Sequence, residues 1–293
     1  MVLLKYSIQI FFYQIIGFIS LIRLLNILVL CLAQYLISIY ILAPERDWIS
    51  LTLDIKLFTI VLLTAISTSS GYIINSFYDS EKDKINRPKT FILGNLISEK
   101  NQIRIYFLLN LTTIFISGFI SFKAVLFYSF YIFCIWLYSY RIKRLYWISN
   151  FFSTALVVYP FFGVTLYFGT FNYEVILHAF FLFILLFIRD LVKDLQNFRG
   201  DWVQHYRTLP VIFGVLKTKL LASFFTFMSF ILIIELIKFP LGNMQYYLIS
   251  SIVFVSAWLI FLWLASKQKE YLWLHNLLKF WILTGLFSIT LIN

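Results

Sequence analysis

Two short stretches of this chain concentrate residues that could hold a cation and an anion together. The first is Asn75-Ser-Phe-Tyr-Asp79-Ser-Glu-Lys-Asp83-Lys-Ile-Asn86-Arg87-Pro88. Asn75, Asp79 and Asp83 are spaced i, i+4, i+8, which on one helix stacks them on a single face, each about a turn beyond the last. Two carboxylates and an amide oxygen so placed can share a hard divalent cation such as Mg²⁺. Lys84, Arg87 and Lys89 lie just beyond, as a neighbouring anion would require, and Pro88 keeps the helix from continuing unbroken. A plain loop of mixed, solvated charges is the competing reading of this stretch taken alone. The second stretch is Arg189-Asp190-Leu-Val-Lys193-Asp194-Leu-Gln-Asn197-Phe-Arg199-Gly200-Asp201. Asp190 and Asp194 are i, i+4 and Asn197 is one turn further. Gly200 is expected to end that helix before Asp201. Arg207-Thr-Leu-Pro210 then sets a basic residue ahead of a helix breaker.

The elements that must carry these residues are membrane helices. The 293 residues are 61% hydrophobic and 13% charged, where soluble domains run near 25% charged. Mean hydropathy is +0.88. Apolar runs of about 20 residues recur along the chain, which predicts an all-α polytopic membrane protein, not a β-barrel of shorter alternating strands. The expected spans are 18–42, 57–77, 103–122, 124–140, 147–168, 175–188, 215–237, 246–265 and 272–292, about nine helices. Met1–Gln14 reads as an interfacial segment. No soluble domain and no cleavable signal peptide are expected. The first acidic stretch follows span 2 and the second follows span 6. This spacing suggests one domain made of two four-helix halves, 18–144 and 147–265, plus a final helix 272–292.

Charge settles the expected topology. The net charge of +11 reads as membrane orientation, not nucleic-acid binding. Lys and Arg crowd the loops after spans 2, 4, 6 and 8, and the loops after spans 3, 5 and 7 carry little beyond Lys123 and Lys238. By the positive-inside rule those basic loops, both acidic stretches and the N-terminus are cytoplasmic, in a multi-pass protein of the cell (inner) membrane. Cys31 and Cys134 sit in apolar runs and read as small buried hydrophobes. The sequence is 21% aromatic, which suits bulk packing and would also line a groove for an unsaturated chain.

The chemistry follows from the placement. The chain has thirteen Asp and Glu residues, and six of them (Asp79, Glu81, Asp83, Asp190, Asp194, Asp201) lie in the two stretches. Carboxylates at membrane depth are costly, so clustering at two matched helix ends points to function. Facing carboxylate clusters would repel one another without cations between them. Mg²⁺ keeps open positions for phosphate oxygens, and a diphosphate gripped by Mg²⁺, Arg and Lys becomes a good leaving group. An apolar interior beside it would take a hydrocarbon tail. A membrane enzyme acting on a polyprenyl diphosphate fits both halves of this description. A transporter or divalent-ion permease is the alternative, since acids on membrane helices suit that role too. Against it, the acids lie at helix ends on one side and the helix centres carry few polar residues apart from Arg23, Asn26 and Gln34. A catalytically dead homologue is disfavoured by the complete set of acids.

At these residues the chain resembles the UbiA superfamily of intramembrane prenyltransferases. Its first motif, NxxxDxxxD followed by xxNRP, reads here Asn75, Asp79, Asp83 and Asn86-Arg87-Pro88. The second stretch is most similar to the archaeal digeranylgeranylglyceryl phosphate synthase branch and its bacterial relatives. The basic stretch Tyr138…Lys143-Arg144 ending span 4 also matches. The resemblance implies about nine helices around a central cavity, and Mg²⁺-dependent prenyl transfer from a polyprenyl diphosphate to a lipophilic acceptor, an aromatic quinone precursor or a glyceryl phosphate lipid. It implies that Asn75, Asp79, Asp83, Asp190 and Asp194 hold the Mg²⁺–diphosphate together with Asp201, the four other Asp being catalytic. Arg87, Lys143, Lys193 and Arg207 are implied to grip the diphosphate, with Asn26 and Tyr138 lining the substrate site. Two departures stand out: Lys89-Thr-Phe-Ile-Leu-Gly94 replaces an RPLP-like run, and Asn197 stands where the archaeal motif has an acid. Of the histidines, His178 reads as a hydrogen-bonded core residue, His205 lies in the loop after span 6, and His275 is expected at the interface.

Overall fold

The computed structural model describes residues 13–80, 84, 88–203 and 206–292. Of the residues singled out above, Glu81, Asp83, Asn86, Arg87 and His205 lie outside the described residues, as does most of the expected interfacial segment. The described chain is helical, with no strand, and falls into two compact units. One takes the residues up to Ala33 and Leu53–Arg141; the other takes Gln34–Thr52 and Ile142 onward. Nine long helices are present among the described residues, eight of them long and apolar enough to cross a membrane. The ninth, Glu99–Gly118, is long enough at 20 residues but carries buried Gln102 and Asn110.

A helical segment, 13–21, precedes the first span, and the expected span 18–42 is not one unbroken helix. Instead the helix breaks at Ile22 and Arg23, and α1 (Leu24–Ile37) starts afresh. Arg23 has φ of 52°, alone among the described non-glycine residues in having positive φ. With a Cβ this conformation costs about 1 kcal/mol, and the Arg23 guanidinium lies over the Tyr72 ring, 5.1 Å from its centroid. A π-turn, Ser38–Leu42, extends α1. The loop that follows contains the short helix α2 (Trp48–Thr52).

In the first unit, α3 (Ile55–Tyr78) packs on α5 (Glu99–Gly118) and α6 (Phe122–Tyr140), with the short helix α4 (Pro88–Gly94) between α3 and α5 in sequence. Asp54 caps α3, its Oδ1 accepting from the N–H groups of Lys56 at 2.8 Å and Leu57 at 3.2 Å, which satisfies two donors that a helix start leaves orphaned. Pro88 opens α4, where its missing N–H costs nothing. The small residues Ser67–Gly71 allow close helix approach rather than forming a cavity wall: a Cβ on Gly71 would sit 2.8 Å from Ile135 Cγ2. Hydroxyls then bind across that contact. Ser70 Oγ donates to Asn110 Oδ1 at 2.7 Å, Tyr128 donates to the Ile60 carbonyl at 2.7 Å, and Thr64 and Thr68 meet the hydroxyls of Tyr128 and Tyr131. Such bonds hold apolar-surfaced helices together where burial from water cannot.

In the second unit, α8 (Tyr173–Val203) is the hub. It packs on α7 (Tyr146–Phe168), α9 (Leu209–Ile237) and α11 (Gln268–Ser288), while α10 (Met244–Leu264) lies against α9 and α11. The reason is in the sequence: Val175–Ile188 is apolar apart from His178, and most of its side chains are buried, with Phe180 the exposed one. At 31 residues it is about 46 Å long, longer than the ~30 Å hydrocarbon layer. The excess length lets its C-terminal part, Asp190–Val203, extend towards the polar boundary, and that part carries Asp190, Asp194 and Asp201. Pro160 and Gly163 are weak helix formers, yet α7 runs through both. The Pro160 carbonyl accepts from Gln34 Nε2 at 3.0 Å, so the amide of Gln34 serves a helix–helix bond. Gly214, at φ 85°, breaks the start of α9 and sets the kink after Pro210. His178 is buried with Nδ1 2.9 Å from the Glu174 carbonyl, the core role expected of it.

Candidate functional site

The first cluster sits where α3 ends. Tyr72, Asn75 and Asp79 are i, i+3, i+7 and share a face. The expected single helix through all three motif residues is interrupted at Asp79, and Asp83 lies outside the described residues. The helix Ile55–Tyr78 stops at Asp79, which has φ −96° and ψ 4°, and whose N–H donates to the Asn75 carbonyl at 3.0 Å. A carboxylate and the unpaired carbonyls of a helix C-terminus both present negative potential, so this end favours a cation. One turn back from Asn75, the Tyr72 hydroxyl meets Asn26 Nδ2 at 3.4 Å, beneath the stacked Arg23. Asn26 thus touches the helix that carries the first motif, and Arg23 is held against it instead of reaching outward.

The second cluster corrects another expectation. Gly200 does not end the helix: α8 continues to Val203. Asp190, Asp194, Asn197 and Asp201 therefore lie on one helix at i, i+4, i+7 and i+11, a single stripe of three turns. Asp201 is buried at 5% exposure, which makes it part of the packed structure and not of a loop. Arg189 Nη2 pairs with Asp190 Oδ1 at 3.1 Å. Lys193 is partly buried between the first two acids in sequence.

Helix α7 supplies partners that the sequence reading had not singled out. Asn150 Nδ2 donates to Asp194 Oδ2 at 2.7 Å, and Ser153 Oγ shares its proton between Asp190 Oδ2 at 3.1 Å and the Asn150 carbonyl at 3.0 Å. Arg207 Nη1 donates to the Tyr146 hydroxyl at 3.4 Å and lies 6.0 Å from the centre of its ring. The signal that could have found these residues is their spacing. Tyr146, Asn150 and Ser153 are i, i+4, i+7, the same period as the acids they meet.

Tyr138 is in the last turn of α6, partly buried. Lys143 lies in the 3₁₀ turn Ile142–Arg144, in the other unit. Among the described residues no group of three or more His, Cys, Asp or Glu side chains converges as a metal site. Mg²⁺ does not need one: it is commonly held by one or two carboxylates, with waters and substrate phosphates completing the octahedron. Asp190 and Asp194, oriented by neutral donors, fit that donor set, and so does Asp79 at a helix C-terminus.

Residues 31–283 match the UbiA prenyltransferase family. The chain is 28% identical over 227 residues to digeranylgeranylglyceryl phosphate synthase of Methanosphaera stadtmanae, covering 75% of this chain and 80% of that one. It is 27% identical to the enzyme of that name from Methanobrevibacter smithii, covering 93% and 99%. Among solved structures, one of digeranylgeranylglyceryl phosphate synthase in membranes superposes with a TM-score of 0.74 at 19% identity, over 94% of this chain and 97% of that one. A UbiA homolog from Archaeoglobus fulgidus, solved with GPP and Mg²⁺ bound, gives 0.64 at 15% identity, over 94% and 99%. With its membrane helices, its two acidic helix ends and this match over most of its length, the chain belongs to the UbiA prenyltransferase family and is an integral membrane prenyltransferase.

Proposed function

We propose that this enzyme transfers a prenyl group from a polyprenyl diphosphate to the hydroxyl of a glyceryl phosphate lipid, in a reaction that requires Mg²⁺. The observation that carries the reading is the α8 stripe, Asp190, Asp194 and Asp201, with Arg189, Lys193 and Arg207 around it. The near full-length similarity to digeranylgeranylglyceryl phosphate synthases supports the glyceryl phosphate acceptor over an aromatic quinone precursor. The neighbour solved with GPP and Mg²⁺ supports the donor and the cation.

In this proposal Asn75, Asp79 and Asp83 are the Mg²⁺ ligands of the first motif, and Asp190, Asp194 and Asp201 are the Mg²⁺ ligands of the second, along α8. Bound there, Mg²⁺ neutralises charge on the leaving diphosphate. Arg87, Lys143, Lys193 and Arg207 add fixed positive charge against the same oxygens, worth most where water is excluded. The allylic C–O bond breaks, a C–O bond to the acceptor hydroxyl forms, and the hydroxyl proton is released. Asn26, held to Tyr72, and Tyr138 are assigned to the substrate wall. The basic loops and both acidic clusters are assigned to the cytoplasmic side, with the N-terminus.

The test is diphosphate release by purified protein in detergent, with geranylgeranyl diphosphate as donor. Glyceryl phosphate lipids and aromatic acids are offered in parallel, each with Mg²⁺ and with EDTA. Mg²⁺-dependent release that needs the glyceryl phosphate lipid supports the proposal. Release driven by an aromatic acceptor overturns the acceptor assignment and leaves the donor chemistry standing.

A further inference from the structure

We infer that one face of α7, built from Tyr146, Asn150 and Ser153, is a positioning surface that fixes the second acidic cluster and its arginine in working geometry; the inference rests on the Mg²⁺–diphosphate role proposed for that cluster. Three contacts carry it. Ser153 Oγ lies 3.1 Å from Asp190 Oδ2 and 3.0 Å from the Asn150 carbonyl, sharing its one proton between them, Asn150 donates to Asp194 at 2.7 Å, and the Tyr146 hydroxyl accepts from Arg207 at 3.4 Å. Residues 146, 150 and 153 rise along α7 as their partners 207, 194 and 190 descend, which is the order an antiparallel pair produces. Each site group thus meets one residue of a single helix face.

The chemistry of the partners is informative. A carboxylate left alone in a helix bundle turns to whichever donor is nearest. Asn150 and Ser153 are neutral donors. Asn150 fixes the direction of Asp194 without cancelling its charge, so the attraction for a cation is kept there, whereas Asp190 is also paired with Arg189 at 3.1 Å. A lysine or arginine in place of Asn150 would orient Asp194 and compete with the metal. Outer partners of this kind typically change metal affinity by about 10–100-fold when removed. Asn150 is itself 8% exposed, so its amide is fixed by packing and has little freedom to swing away. Tyr146 works on the anion side: its ring underlies the guanidinium at 6.0 Å from the centroid while its hydroxyl takes one N–H. That leaves the remaining guanidinium donors of Arg207 a defined plane.

The experiment uses the full chain in detergent with an unreactive geranylgeranyl thiolodiphosphate. Mn²⁺ serves as the probe ion, and its affinity is read by electron paramagnetic resonance. Asn150→Ala and Ser153→Ala should each weaken Mn²⁺ binding about 10–100-fold, and Ser153→Thr, which keeps the hydroxyl, should restore most of it. Tyr146→Phe should leave Mn²⁺ affinity within about twofold and weaken binding of the thiolodiphosphate several-fold. A shared loss from misfolding would move all four variants together, so this split also serves as the folding control. If Asn150→Ala misfolds, the Ser153 pair decides alone. Wild-type Mn²⁺ affinity in both alanine variants, while Asp194→Ala loses binding, overturns the role of α7 and leaves the metal site intact. Unchanged affinity in Asp194→Ala removes the metal site itself and the role of α7 with it.

Discussion

Replacing Gly200 with alanine decides between two geometries for Asp201. If Gly200 were the left-handed residue after a helix end, as its place in the sequence suggests, a Cβ would be strained there and alanine would destabilise the protein. The structure puts Gly200 inside α8, without positive φ and with no atom within 4 Å of the position a Cβ would take. Alanine then loses nothing by collision and gains the difference in helix propensity. That difference is about 1 kcal/mol in a helix interior, and somewhat less within one turn of the helix end. Propagated to a chain of this size, it raises the apparent Tm by about 1–3 °C. The assay is a thermal melt of purified Gly200→Ala beside wild type at equal detergent and lipid, paired with turnover. Activity should be kept, because the substitution leaves Asp201 on the stripe with Asp190 and Asp194. A fall in Tm of several degrees would refute the reasoning. Gly200 would then terminate the helix, and Asp201 would sit in the following loop, out of register with the other acids.

Three further outcomes follow from the same geometry. Asp194→Ala should lower kcat by about 100-fold or more, the rate equivalent of losing roughly 3 kcal/mol of charge stabilisation. It should elute as wild type on size exclusion, and unchanged turnover would remove Asp194 from the site. Arg207→Ala should act mainly on the prenyl diphosphate, raising KM about 10–100-fold for a lost charge-assisted bond, which steady-state kinetics with varied donor would measure. Gly71→Leu should destabilise the first unit by about 1–3 kcal/mol, because its Cβ would already lie 2.8 Å from Ile135 Cγ2. A melt or a detergent-denaturation midpoint would record that loss.

Much of the site was legible because its signals are local. The spacing of Asp190, Asp194 and Asn197 is a property of the helix period, and so is that of Asn75 and Asp79. The positions where the reading failed are those where local preference competes with packing by about 1 kcal/mol or so. Gly200 has weak helix propensity and looks like a terminator, yet α8 passes through it. Pro160 lacks an N–H and looks like a break, yet α7 continues and its carbonyl is taken by Gln34. Arg23 looks like one more residue of a long span, yet the backbone turns there at positive φ and the side chain stacks on Tyr72. Helix α3 in turn stops at Asp79 one turn earlier than the three-residue spacing implied.

By itself the sequence determined that this chain lies in a membrane, as about nine helices, and that its acids gather at two helix ends. Those properties follow from hydropathy and from the 3.6-residue period, which act over neighbouring residues alone. Only the tertiary structure decided which side chains meet those acids. That α8 would be the hub of its unit, and that Asn150, Ser153 and Tyr146 would face Asp194, Asp190 and Arg207, depends on how α7 and α8 pack. Contacts between residues some 40–60 positions apart are set by the fit of whole helix surfaces, and no local pattern encodes them.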